Sequence, residues 1–84
     1  MKGNKVPLPE NAPQIGEQYR HYKGDIYKIF ELAHHSNDEE WMVVYSPEYA
    51  NPDAHLFTRT LREWNEKVEW PLGSGEMHSR FTRL

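Results

Sequence analysis

Tyr19-Arg20-His21-Tyr22-Lys23-Gly24-Asp25-Ile26-Tyr27-Lys28-Ile29-Phe30-Glu31-Leu32-Ala33 is the stretch on which the fold turns. Two runs rich in aromatic and β-branched residues, Tyr19 to Tyr22 and Asp25 to Ala33, flank Lys23-Gly24-Asp25, where a glycine can take the positive φ that a tight turn requires. The stretch reads as a β-hairpin. Strand alternation puts Tyr27, Ile29, Glu31 and Ala33 on one face and Ile26, Lys28, Phe30 and Leu32 on the other. Apolar residues on both faces suit a strand in a small curled sheet, with one side lining the core and the other partly covered.

Working outward, His34 to Glu40 is a polar turn, and Trp41-Met42-Val43-Val44-Tyr45 is the most continuous apolar run, expected to be the central strand. Pro47 and Pro52 then interrupt, because proline donates no ladder hydrogen bond, and a long loop is expected through Asp53. His55 to Arg59 resumes the strand pattern, with Leu56 and Thr58 opposite His55, Phe57 and Arg59. Thr60-Leu61-Arg62-Glu63 matches a capping box, so a helix of about two turns should begin there, with Leu61, Trp64 and Val68 forming one apolar stripe. Pro71 and Gly73-Ser74-Gly75 end that stretch, leaving Met77 to Leu84 as one last strand anchored by Phe81.

Before the hairpin, Pro7, Pro9 and Pro13 each fix φ and push their predecessors out of the helical region, so residues 1–15 read as an extended arm and 16–84 as one small domain. The chain has 84 residues, 37% of them hydrophobic and 13% aromatic, so the core must lean on a few large rings. Four or five short strands with one helical turn suggest a small antiparallel barrel or roll, SH3-like rather than an OB-fold. A chain this short has little interior to spare for a deep reaction chamber. No catalytic residue, cofactor or enzyme activity is therefore expected.

The net charge of −3 does not supply the cationic field that phosphate backbones recruit. The acidic excess is concentrated in Asp38, Glu39, Glu40, Glu48 and Asp53, a segment without lysine or arginine that should repel polyanions. Zero cysteines exclude disulfides, thiolate zinc sites and cysteine nucleophiles. No apolar run resembles a signal peptide or a membrane span, so a cytoplasmic location and no membrane partner are expected.

The string Tyr19-Arg20-His21-Tyr22-Lys23-Gly24, followed by Tyr27, Ala33, His35-Ser36, Val43-Val44-Tyr45, Leu56, Arg59, Leu61 and a closing Arg80-Phe81, resembles a family of small bacterial proteins catalogued as domain of unknown function 1653. Its members read Y-R-H-Y-K-G, then A-x-H-S, V-V-Y, L-W-x-R-P-L and a terminal R-F. The resemblance covers residues 17–84. Phe57 stands where the family pattern has tryptophan, Thr60 where it has proline, and residues 47–52 differ from its L-Y-G loop. The resemblance implies an SH3-like roll and no particular activity.

For chemistry, the basic and aromatic residues Arg20, Tyr22, Lys23, Tyr45 and Arg59 are the candidate ligand-binding set. Arg20 could fork onto a carboxylate or phosphate, with Tyr22 as a platform and Lys23 as a second charge. A plainer role has Tyr22 packing, Arg20 paired with an acid of residues 36–56 and Lys23 solvated. Five histidines raise metal chemistry, but His34 and His35 point to opposite faces and no H-x-H or helical H-x-x-x-H occurs. A His-dependent metal enzyme would have to gather His21, His35 and His55 with Asp53 or Asp38, and no metal site is expected. Ser46, His55 and Asp53 are the one trio spaced for nucleophilic catalysis, without a G-x-S-x-G elbow. Trp41 and Trp64 are expected in the core and Trp70 at the surface. The resulting expectation is a non-enzymatic binding module for a small molecule or protein. Single-stranded RNA or DNA binding, which the charge disfavours, is the alternative, and a small metal enzyme the third.

Overall fold

The structure is a computed structural model that describes residues 7–37, 39–49 and 55–84. Asp38 and Asp53, candidates for the metal and nucleophile readings, lie outside the described residues. The elements run β1 (Gln18–His21), β2 (Ile26–His35), β3 (Glu40–Pro47), β4 (Phe57–Thr60), α1 (Leu61–Trp64), β5 (Lys67–Glu69), β6 (Met77–Ser79) and β7 (Phe81–Arg83). Five strands form an antiparallel sheet in the order β4-β3-β2-β1-β7, and β5 and β6 form a separate two-stranded ribbon. The domain is mainly β with one short helix.

The β1–β2 hairpin forms where the sequence places it. Gly24 takes φ 115°, and the His21 carbonyl accepts the Gly24 amide at 2.7 Å. The expected barrel is not closed. Among the described residues β4 and β7 end the sheet without pairing, because the chain between them turns aside into α1 and the ribbon instead of adding strands. The middle of the five strands is β2, not the apolar β3, although β3 is interior and paired on both sides.

One residue breaks the alternation expected along β2. The pairing runs Ile29 to Tyr45 and then Glu31 to Val44, so Phe30 is the extra residue of a β-bulge. Ile29 is 1% exposed while Phe30 is 57% exposed. Beyond the bulge the faces exchange: Leu32, expected opposite Ile29, packs against the same core.

Two further elements depart from the sequence pattern. Helix α1 is a single turn: the Thr60 hydroxyl accepts the Glu63 amide at 3.1 Å as expected of the cap, but Asn65 ends the helix. Val68 pairs opposite His78 in the ribbon, so its spacing from Leu61 and Trp64 is not helical. The C-terminal run is divided at Arg80 into β6, which pairs with β5, and β7, which pairs with β1. The Arg80 backbone makes the joint by donating to the Glu66 carbonyl at 3.0 Å and accepting the Tyr22 amide at 2.9 Å.

The core is Ile29, Val43, Tyr45, Leu61, Trp64 and Phe81. Phe81 and Trp64 stack with centroids 3.7 Å apart and planes at 8°, and Tyr45 meets both rings at 5.6 and 5.0 Å. Four of six core side chains are aromatic or leucine partners from three separate elements, so the rings join sheet to helix. Before β1, Pro13 is buried and Ala12 packs on this core. Glu17 ties the neighbouring edge: its carboxylate accepts the Gln14 amide at 2.9 Å, Arg83 Nη1 at 3.0 Å and the Tyr19 hydroxyl at 3.1 Å. Those donors, the Gln14 amide foremost, hold the Glu17 carboxyl below its ordinary range. Burial and then the Glu17 charge push the Tyr19 phenol up to about 12.

Candidate functional site

Alternation along β1 turns Tyr19 and His21 toward the core, where they meet Trp64 and Phe81 at 5.3 and 5.1 Å. Arg20 therefore projects from the opposite face, across from Thr82 of β7, and is exposed. The β5–β6 ribbon stands beside that face. Sheet and ribbon flank a cleft of roughly 320 Å³ whose lining includes Arg20, His21, Tyr22, Trp70, His78 and Thr82.

The ribbon presents Trp70. Its amide donates to the Glu76 carbonyl at 3.0 Å, and its own carbonyl lies 3.0 Å from His78 Nε2. Glu69 accepts the Gly75 amide at 2.7 Å and closes the connecting turn. The indole stands edge-on to Tyr22, with centroids 5.5 Å apart and planes at 67°. Lys23 Nζ lies 5.8 Å from the Tyr22 centroid and 5.4 Å from that of Trp70, within the separation at which a ring quadrupole attracts a cation. Among the described residues no carboxylate is within ion-pair distance of Arg20 or Lys23, whereas Arg62, Arg80 and Arg83 each meet one at 3.1, 3.2 and 3.0 Å. The cleft and its edge thus bring together two rings and two cations that meet no carboxylate among the described residues.

The five candidate residues divide between two places. Arg20 and Tyr22 line this cleft, and Lys23 lies over the Tyr22 and Trp70 rings beside it. Tyr45 is 5% exposed and belongs to the core, so it adds nothing to a surface. Arg59 is half-buried on the core-facing side of β4, where its Nε donates to the Tyr45 hydroxyl at 3.4 Å and its guanidinium carbon lies 5.7 Å from the Phe81 centroid. The physical reason is strand direction: position 20 on β1 faces out, while position 59 on β4 and position 45 on β3 face in.

Trp70 and His78 join the cleft although the sequence reading did not connect them with Tyr22. The signal was available in Pro71-Leu72-Gly73-Ser74-Gly75, a turn flanked by Val68 and Met77, which marks a hairpin. Trp70 is 39% exposed, Trp64 is 3% exposed, and Trp41 is partly buried against the core. Among the described residues, no three His, Asp or Glu side chains gather at metal-binding spacing. Ser46 lies in β3 opposite Lys28. No helix among the described residues is long and apolar enough to cross a membrane.

His21 sits between the two places. Its Nδ1 accepts the Lys23 amide at 3.2 Å, which leaves Nε2 as the protonated nitrogen of the neutral ring. Burial first, and then the Arg59, Arg80 and Lys23 cations, push its pKa down, against an opposing pull from Asp25.

Comparison with known proteins adds two matches. Residues 17–83 match the model of a family described as protein of unknown function (DUF1653). The crystal structure of a DUF1653 protein from Bordetella bronchiseptica is similar at 39% identity with a TM-score of 0.69, covering 80% of this chain and 82% of that one. No curated protein matches.

Proposed function

The chain belongs to the family of proteins of unknown function DUF1653, and on that footing we propose that it is a non-enzymatic binding module whose ligand docks in the cleft between β1, β7 and the β5–β6 ribbon. The observation that carries this reading is the placement of Lys23 against the rings of Tyr22 and Trp70 beside an exposed Arg20 that meets no carboxylate among the described residues. Rings accept a flat apolar face and the two cations accept negative charge, so the fitting ligand is a small molecule or protein segment that carries both. An SH3-like roll, left open between β4 and β7, is the architecture this reading assumes. A shallow cleft of this volume suits recognition better than chemistry that must exclude water.

The test is chemical-shift perturbation on the whole chain against a panel of metabolites, acidic peptides and oligonucleotides. A ligand that moves the signals of Arg20, Tyr22, Lys23 and Trp70 together, and that loses affinity with Trp70→Ala, supports the reading. Perturbation confined to other surfaces refutes it. Oligonucleotide binding with steep salt dependence would favour the nucleic acid alternative. A melting temperature raised by zinc, nickel or manganese would favour the metal enzyme.

A further inference from the structure

On the core-facing side of the sheet, Arg59 differs from every other described arginine. Arg62, Arg80 and Arg83 pair with Glu40, Glu66 and Glu17, and Arg20 is exposed to water. Arg59 is half-buried, and among the described residues its guanidinium meets no carboxylate. Its polar contact there is the 3.4 Å bond from Nε to the Tyr45 hydroxyl, a long one that leaves the terminal Nη groups to be satisfied otherwise. Phe81 lies beneath it, and Trp64 covers one face of that ring at 3.7 Å. A guanidinium held against such a low-dielectric floor gains more from a counter-ion than one in water does.

The same ring places a second donor nearby. The His21 imidazole packs edge-on to Phe81 at 5.1 Å, and the Lys23 amide on Nδ1 leaves Nε2–H free to donate. The charged groups that act on His21 are Arg59 from β4, Arg80 from the joint between β6 and β7, and Lys23 and Asp25 from the β1–β2 turn. Three of these four are cations, and Tyr22 and Tyr27 add rings at 4.4 and 6.3 Å. Arg80 is paired with Glu66 and Asp25 opposes the rest, so Arg59 and Lys23 are the cations without a carboxylate partner among the described residues near this aromatic floor.

We propose that Arg59, assisted by His21 Nε2–H, binds an oxyanion, the carboxylate or phosphate group of a ligand, on the core-facing side of the sheet. The site is centred on Arg59 and shares His21 with the lining of the cleft of Arg20 and Trp70, and its test is read at Arg59. The bidentate fork of Arg59 accounts for the geometry of recognition, and the cations around His21 account for the sign of charge recognised.

The test titrates inorganic phosphate and, separately, sodium acetate into the uniformly labelled full chain, following the Arg59 Nε–H and His21 ring signals. Expected is a saturable shift of both, with the His21 titration midpoint rising when the site is filled, since a bound anion at Arg59 offsets the charge that disfavours protonation of His21. Saturation by phosphate alone identifies a phosphoryl ligand, by acetate alone a carboxylate, and either supports the site. Arg59→Gln should weaken binding about tenfold or more, the loss expected for a charge-assisted bond. Arg59→Lys, which keeps the charge and loses the fork, should weaken it less, and it carries the comparison if the glutamine variant loses its dispersed spectrum. The proposal is overturned by wild-type affinity in either variant, by shifts at Arg20, Lys23 and Trp70 alone, or by no saturable shift. Arg20→Gln should leave this binding unchanged while weakening any ligand of the cleft, which keeps the two readings distinguishable.

Discussion

Phe81→Ala probes the packing that holds sheet to helix. The ring is 6% exposed and meets Trp64 face to face, Tyr45, Tyr27 and His21 edge-on, and the Arg59 guanidinium. Removing a buried phenyl group loses its transfer free energy and leaves a cavity, together about 3 to 5 kcal/mol. A chain of 84 residues has a total stability of about 4 to 13 kcal/mol, so this one substitution removes about a quarter of it or more. With a urea dependence of about 1.5 kcal/mol per molar for a small domain, a loss of 4 kcal/mol lowers the unfolding midpoint by about 2.7 M. Urea titration followed by tryptophan fluorescence and circular dichroism measures it. If the variant shows no transition, Phe81→Leu gives the measurable value, expected at about 1 to 2 kcal/mol. The control is Phe30→Ala, which removes the same ring from an exposed bulge position and should cost about 0.5 kcal/mol or less. A loss below about 1 kcal/mol at Phe81, or equal losses at the two positions, would refute the assignment of the core.

Thr60→Ala removes the hydroxyl that accepts the Glu63 amide and should cost about 1 kcal/mol in urea unfolding, with Thr60→Ser restoring it; no loss would show the cap to be inert. Gly24→Ala places a Cβ at φ 115° and should cost about 1 to 3 kcal/mol although nothing lies within 4 Å of it, so a neutral variant would mean the turn has another conformation. The depressed His21 pKa gives a pH dependence of defined sign. Below its ordinary value of 6.5 the unfolded chain takes up a proton that the native chain refuses, so His21 subtracts stability as pH falls from that value toward the native one. Unfolding midpoints of wild type and His21→Gln across pH 4 to 8 should therefore converge or cross on acidification, and parallel curves would contradict the shift.

Much of the architecture follows from local chemistry. Gly24 between two aromatic and β-branched runs specifies the β1–β2 hairpin, and Thr60 with Glu63 specifies where the helix begins, because each depends on groups only a few residues apart. The end of that helix was not legible in the same way. Leu61, Trp64 and Val68 are spaced as a stripe, but Val68 gives its backbone to His78 in the ribbon, a partner the spacing could not name. Leu32 changed faces while Phe30 did not, for a related reason: a bulge depends on how β2 meets β3, not on β2 alone. Of the hexad from Tyr19 to Gly24, Arg20 and Tyr22 line the cleft between sheet and ribbon, and Lys23 lies over the Tyr22 ring beside it. The hexad could not supply Trp70 or His78, which come to Tyr22 only when the ribbon folds back.

What the chain settles by itself is the kind of domain: mainly β, cysteine-free, built around a few large rings, with a glycine turn and a threonine cap at stated positions. These are consequences of composition and of contacts between near neighbours. Tertiary structure alone decided that the sheet stays open at β4 and β7, that Tyr45 is core and Arg20 surface, and that Arg59 lies inward over Phe81 without a carboxylate partner among the described residues. Each of those depends on register and strand direction between segments distant in sequence, where a shift of one residue reverses which side chains face the core.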